Sequence, residues 1–254
     1  MEKSKPGDAT VTAAVLVIGD EILSGRTQDG NSHYIAKYLA QIGVDLREVR
    51  VAPDVEEEIV AAVNALRARY TYVFTTGGIG PTHDDITTDA IARAFGVAVV
   101  EDTRAIASLL ERFPADKLNA ARRRMARIPI GAELVENAIS KAPGFRIGNV
   151  IVMAGVPVIM EAMLDAVAPQ LATGARVLVE VVEAGNIPEG RYAAPLEQIA
   201  RQFDGVSIGS YPSFTSAGVR NQIVLRSRDS ERLASAAAAV RELIDGLAGE
   251  GARR

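Results

Sequence analysis

Residues 75–90 read TTGGIGPTHDDITTDA and bring Gly77, Gly78 and Gly80 within a few positions of Asp84, Asp85 and Asp89. A glycine-rich junction between strand and helix offers backbone N–H groups and the positive end of a helix dipole, which together attract an anion such as phosphate. Carboxylates beside that anion repel it, by about 4 kcal/mol for unit charges ~4 Å apart at an effective dielectric of about 20, unless a cation intervenes. Glycines plus acids therefore point to a phosphate held with a divalent metal. Oxygen-only ligands favour magnesium or manganese, with cobalt or nickel as further candidates. Thr82 and Thr87 are placed to orient phosphate oxygens, and Asp85, with Asp54 or Asp84 helping, to hold the metal. A plainer use of the same residues stands beside this one: glycines permit a tight turn, and Asp85 or Thr87 can cap the following helix. A P-loop would need Lys and Ser or Thr after the last glycine, and a dinucleotide fingerprint would need glycine where His83 stands; neither is present.

A second cluster, Gly19-Asp20-Glu21-Ile22-Leu23-Ser24-Gly25, is followed by Thr27-Gln28-Asp29-Gly30-Asn31. It reads either as a surface loop whose Asp29 or Asn31 caps the next helix, or as a second wall of the same site. Asp54 starts a D-x-x-E pattern with Glu57, which predicts a capping box. The basic run ARRRMAR at 121–127 reads as a solvated helix face or a subunit contact. His33 and His83 are the only histidines, and neither has a partner at a spacing that suggests a nucleophile's base or a zinc ligand.

The elements that carry these loops follow from periodicity. Residues 11–18 (VTAAVLVI) form a short apolar run, as in a strand buried on both faces. Residues 31–41 place Ile35, Leu39 and Ile42 at helical spacing before Gly43, and 44–52 form the next strand. A helix from 54 to about 70, a strand at 71–76, the glycine loop and a helix at 86–95 complete three strand–helix repeats. Such alternation predicts a mostly parallel mixed sheet covered on both faces, a three-layer α/β/α sandwich with its ligand site beyond the carboxyl ends of the strands. Further along, 97–100 reads as a short strand, 103–113 and 116–126 as helices, 149–153 (NVIVM) as another buried strand, and 158–171 as a helix entered through the turn Ala154-Gly155-Val156-Pro157. A smaller α+β unit of β-α-β-β-α order follows: strand 176–183, helix 193–203, strands 206–211 and 219–226, and an Ala-rich helix from 230 to about 247. The expected domains are thus 11–172 and 176–250, with a polar, mobile tail over residues 1–10.

The 254 residues are 48% hydrophobic and 24% charged, enough to bury a sizeable core. A net charge of −4 and a pI near 5.4 argue against nucleic acid or a membrane surface as partner. With no cysteine there is no disulfide framework, thiolate metal site or catalytic thiol. No apolar stretch approaches the ~20 residues a membrane-spanning helix needs, and the polar opening does not read as a signal peptide, so the expected location is the cytoplasm.

GDEILSG followed by TQDGN, then VAPD at 51–54, TTGGIGPTHDDIT at 75–87, APGF at 142–145 and AGVP at 154–157 resemble the molybdopterin-binding MoaB/Mog domain. The wording is most similar to the variant at the front of competence/damage-inducible protein A (CinA) and of eukaryotic FAD synthase. VSIGSYP at 206–212 extends the likeness into the second unit. The resemblance implies a homo-oligomer with its site at the strand ends. It also implies that Asp85 and Asp54 are the aspartates which, in molybdenum-cofactor members, help adenylylate molybdopterin with magnesium and ATP. In the CinA and FAD synthase branch the domain is associated with metal-dependent cleavage of pyrophosphates such as ADP-ribose or FAD. On this basis Asp85 and Asp54 are the candidate catalytic residues, joined by Asp84 as metal ligands. Gly19, Asp20, Glu21, Gly25, Asp29, Asn31, Thr76, Gly77, Gly78, Gly80, Thr82, Thr87, Gly155 and Pro157 are the candidate ligand contacts. The expected ligand is a small nucleotide or a pterin. Metal-dependent pyrophosphatase activity, molybdopterin binding or adenylylation, and a non-catalytic nucleotide-binding oligomer with Asp85 as a helix cap are the three readings carried forward.

Overall fold

The computed structural model describes residues 10–215 and 218–251. Residues 1–9 of the expected tail lie outside that range. The described chain divides into two compact units, with the division between Gly174 and Ala175.

In the first unit β1 (Val11–Ile18) is apolar at nearly every position and buried along its length, so it must be covered on both faces. Its alternation divides the cover. Ala14, Leu16 and Ile18 pack in one core with Ile59, Val63 and Leu66, whereas Ala13, Val15 and Val17 pack in the other with Ile35, Leu39 and Leu164. The elements that follow β1 in this unit are, in chain order, the short α1 (Asp20–Leu23), α2 (Asn31–Gln41), β2 (Val44–Ala52), α3 (Glu56–Arg69), β3 (Tyr72–Thr76), α4 (Thr87–Phe95), β4 (Val99–Glu101), α5 (Thr103–Leu110), α6 (Ala120–Arg124), β5 (Arg127–Pro129), β6 (Glu133–Val135), β7 (Gly144–Ile147), β8 (Val150–Met153) and α7 (Pro157–Val167). The sheet runs β2-β1-β3-β8-β7-β6. The pairs β1–β2, β1–β3 and β3–β8 are parallel, and β8–β7 and β7–β6 antiparallel. It is the mixed, mostly parallel sheet of an α/β/α sandwich, with the carboxyl ends of β1, β3 and β8 side by side.

Several local expectations need correction. Residues 116–126 are not one helix: a 3₁₀ turn (Ala115–Lys117) stops at Leu118, and Asn119 restarts the chain as α6 by accepting the Arg122 N–H at 3.0 Å. The helix expected to reach 113 ends at Leu110, ahead of Pro114, and the helix expected to reach 171 gives way after Val167 to a 3₁₀ turn containing Pro169. The strands β5, β6 and β7 had no counterpart in the sequence reading, because runs of three or four residues are too short to show a period. β4 pairs only with β5, in a small ribbon outside the main sheet.

The second unit has the order β9 (Leu178–Gly185), α8 (Glu189–Gln202), β10 (Ser207–Thr215), β11 (Gly218–Ser227) and α9 (Ser230–Gly251). Its antiparallel sheet runs β10-β11-β9. Val182, Ile223 and Leu225 of the sheet form its core with Tyr192 and Leu196 of α8 and Leu233, Ala237 and Val240 of α9.

Candidate functional site

At the carboxyl ends of β1, β3 and β8 the chain is reduced to bare backbone. Gly77 has φ 106°, and a Cβ there would lie 2.1 Å from the Ile18 carbonyl oxygen. A Cβ on Gly155, in the turn after β8, would lie 3.2 Å from the Gly77 Cα. Glycine is required at Gly77 because any side chain would push β1 and β3 apart. Beside these strand ends lies a cleft of about 370 Å³, lined by Glu21, Asp29, Asn31, Thr76, Gly155 and Pro157 among others. The structure thus brings together six of the residues singled out in the sequence. Gly25, exposed and with nothing within reach of a Cβ, is not among them.

The cleft carries buried polar atoms without partners. Asn31 is 7% exposed; its Nδ2 donates to the Gly155 carbonyl at 2.8 Å, while its Oδ1 and the Thr76 hydroxyl have no hydrogen-bond partner. Leaving such a group unsatisfied costs about 1–3 kcal/mol. Asp29, not Asn31, caps α2, accepting the Ser32 N–H at 3.1 Å.

Asp54 behaves differently from the expected capping box. The position before α3 is Val55, which makes no side-chain cap bond. Instead the Asp54 carboxylate accepts the Asp20 N–H at 3.0 Å, and the Asp54 N–H reaches back to the Asp20 carboxylate at 3.4 Å. This reciprocal pair ties the end of β2 to the end of β1 and sets two carboxylates side by side. Burial raises the Asp54 carboxyl above its ordinary range. The Asp20 amide offsets part of that rise, and repulsion from Asp20, Glu21 and Asp84 adds to it. Among the described residues no Lys or Arg forms an ion pair with Asp20, Glu21 or Asp54, and no three acidic or histidine side chains converge as a closed metal cage. An open set of carboxylate oxygens fits a hard divalent ion that takes its remaining ligands from water and substrate phosphate, as magnesium commonly does.

On the glycine loop several expected ligand groups are already committed to the fold. The Gly77 N–H donates to the Met153 carbonyl at 3.2 Å and the Gly19 N–H to Ala52 at 3.2 Å. The buried Thr87 hydroxyl donates to the Gly77 carbonyl at 2.9 Å, locking the loop rather than facing a ligand. Asp85 is not a helix cap: the N-cap of α4 is Ile86, without a side-chain cap bond. Its carboxylate instead accepts the Thr82 N–H at 2.8 Å and the Thr82 hydroxyl at 2.5 Å, pinning the turn. Among the described residues the N–H groups of Gly78, Ile79 and Gly80 donate to nothing, which leaves them for an anion. Asp84 is exposed, and the Thr82 hydroxyl, its own amide and the nearby His83 and Arg124 hold its carboxyl below the ordinary range.

Asp85 and Gly80 also line a separate pocket, with Thr88, Arg124 and Arg127. Arg124 donates to the Asp85 carbonyl at 3.1 Å while its Nε is buried without a partner, and Arg127 pairs with Asp89 at 3.0 Å. The basic run is therefore not simply a solvated face. The sequence signal for this was the run itself, but the interruption of the helix at Leu118 and Asn119, ahead of Arg124 and Arg127, is invisible to a helical repeat.

A family model described as "Probable molybdopterin binding domain" matches residues 14–173, and one described as "FAD synthase, middle domain" matches residues 184–248. A "Probable FAD synthase" of Caenorhabditis elegans is 32% identical over 92% of this chain and 50% of its own length, so the chain spans about half of that relative. A protein of Archaeoglobus fulgidus is 32% identical over 91% of this chain and 97% of its own. The crystal structure of the protein CinA of unknown function from Thermoplasma acidophilum covers 63% of this chain and 98% of its own, with a TM-score of 0.60 at 33% identity. No helix among the described residues is long and apolar enough to cross a membrane.

Proposed function

The chain belongs to the probable molybdopterin-binding domain family, in the variant shared with CinA and FAD synthase, and from that premise we propose that it hydrolyses the diphosphate of an adenine dinucleotide such as ADP-ribose or FAD. Two observations carry this reading: loop amides without an acceptor after β3, and an Asp20–Asp54 carboxylate pair without a cation after β1 and β2. The N–H groups of Gly78, Ile79 and Gly80 hold one phosphate. Asp54 and Asp20 would hold the divalent ion, with Asp84 adding negative charge, and the ion would offset the repulsion that joins burial in raising the Asp54 carboxyl. When bound, such an ion polarises a phosphoryl oxygen and lowers the pKa of the attacking water. Asp85 acts through Thr82 by fixing the turn that aims the amides, and Arg124 balances charge next to Gly80. Water adds to one phosphorus, the bridging P–O bond breaks, and two phosphomonoesters leave, one of them AMP. The name of the FAD synthase relatives supports a dinucleotide of this class, because FAD contains the same diphosphate link. Incubation of the purified protein with ADP-ribose and with FAD, in magnesium, manganese, cobalt or nickel, is expected to release AMP. Absence of AMP under every condition rejects the proposal.

The description of the family model over residues 14–173 favours a second reading, molybdopterin binding or adenylylation at the same loop. Pterin fluorescence co-purifying with the protein, together with tight molybdopterin binding and no AMP release, is the outcome that selects it.

A further inference from the structure

The strand-end cleft does not end at Asn31. It continues into a groove of about 810 Å³ between α2 and α7, and the two spaces share Gly30, Asn31 and Pro157. Tyr34 and Tyr38 line this groove. They lie one turn apart on the same flank of α2, with ring centroids 6.2 Å apart and planes inclined by 33°. Both phenols are raised above their ordinary range by burial first and then by acids of α7, Glu161 and Asp165 for Tyr34, and a hydrogen bond to Asp165 for Tyr38. Glu161 itself lines the groove, and Lys37 and His33 stand on its exposed flank. At the junction the Asn31 amide spends its N–H on Gly155, so its buried Oδ1 can only accept.

We propose that this groove seats the nucleoside end of the ligand whose diphosphate rests on the glycine loop; the inference builds on the reading given under Proposed function. A tyrosine ring lining a groove accepts any heterocycle by stacking. The oxygen acceptors around it match the hydroxyls of a ribose or ribityl chain, with Glu161 placed as carboxylates often are against a ribose diol. The same acceptors disfavour a second phosphate at this end, since Glu161 and Asp165 would repel it. The substrate class is then asymmetric: an anionic centre at the strand ends and an uncharged, donor-rich aromatic end over α2.

The test is calorimetric titration of adenosine and riboflavin, which carry no diphosphate to cleave, and of the non-hydrolysable methylenediphosphonate, all with magnesium, into the wild type, Tyr34→Ala, Tyr34→Phe and Glu161→Gln. Adenosine or riboflavin is expected to bind the wild type, and whichever binds identifies the end that enters the groove. Tyr34→Ala should weaken that nucleoside about tenfold or more, with methylenediphosphonate bound as before, whereas Tyr34→Phe should retain it. Glu161→Gln should weaken the nucleoside but not its analogue lacking the ribose or ribityl hydroxyls. Failure of both nucleosides to bind the wild type, or equal binding by wild type and Tyr34→Ala, overturns the proposal. Nucleoside binding lost in Tyr34→Ala but without AMP release from any dinucleotide would reject hydrolysis and leave the groove standing. AMP release with an unaltered KM in Tyr34→Ala would do the reverse.

Discussion

Glu48 and Asp54 sit on the same stretch of chain, one within β2 and the other just past its end, and the fold treats them in opposite ways. Glu48 accepts from Arg50 at 2.6 Å and from the Tyr70 hydroxyl at 2.8 Å, with Arg69 at 3.6 Å. Those hydrogen bonds hold its carboxyl below the ordinary range. Asp54 has one backbone amide for a partner, and Asp20, Glu21 and Asp84 for company, and burial with their repulsion holds its carboxyl above that range. A carboxylate that serves the fold is given its cation. One left to face other carboxylates is a charge cluster that folding alone does not reward, and its cation must come from outside.

The largest effect that can break this contrast is on turnover. Asp54→Asn keeps an acceptor for the Asp20 N–H but removes the charge, so AMP release is expected to fall about 100-fold or more, while the melting temperature in chelator does not fall. A loss of stability with turnover intact would make Asp54 another structural acid and erase the difference. Next in size is the backbone that positions the site. Gly77→Ala forces a side chain to adopt φ 106° and drives it to within 2.1 Å of the Ile18 carbonyl, so denaturant unfolding should show a loss of about 2 kcal/mol or more. Gly25→Ala, at φ 73° with nothing within 4 Å, should cost only about 1 kcal/mol and leave ligand binding unchanged. Equal losses at the two glycines would mean that the close approach at Gly77 does not govern the strand ends.

The sequence carried the fold further than it carried the site. The bounds of β1, α2 and β2 follow from apolar runs and a terminal glycine, because both signals are local. The short strands β5 to β7 were hidden because their pairing is set by neighbours distant in the chain, such as Phe145 opposite Val152. For the site, residue types identified the loops but not what each atom does within them. Asp54 and Glu57 have the spacing of a capping box, yet the Asp20 amide across the sheet takes the carboxylate. Thr87 and the Gly77 amide look like ligand groups until their partners at Gly77 and Met153 are in place. Arg124 reaches the loop through a turn at Asn119 that no periodicity announces.

The smallest effect is also the most direct measure of the contrast, because the two acids should respond to pH with opposite sign. Glu48, lowered in the folded state, contributes stability that is present above the unfolded glutamate range and lost as pH falls through its lowered native value. Glu48→Gln should therefore be less stable than the wild type near neutrality, by no more than about 1 kcal/mol for a pair this open to solvent, and the gap should close in acid and shrink in high salt. Asp54, raised in the folded state, contributes stability that is present below the unfolded aspartate range and lost as pH rises through its raised native value. In chelator Asp54→Asn should then match or exceed the wild type near neutrality, and that advantage should vanish on acidification. Denaturant unfolding of the three proteins from acid to neutral pH reads both slopes at once. Curves that diverge from the wild type in the same direction would show that the two carboxylates differ in position only, and that the cluster around Asp54 already carries its counter-charge.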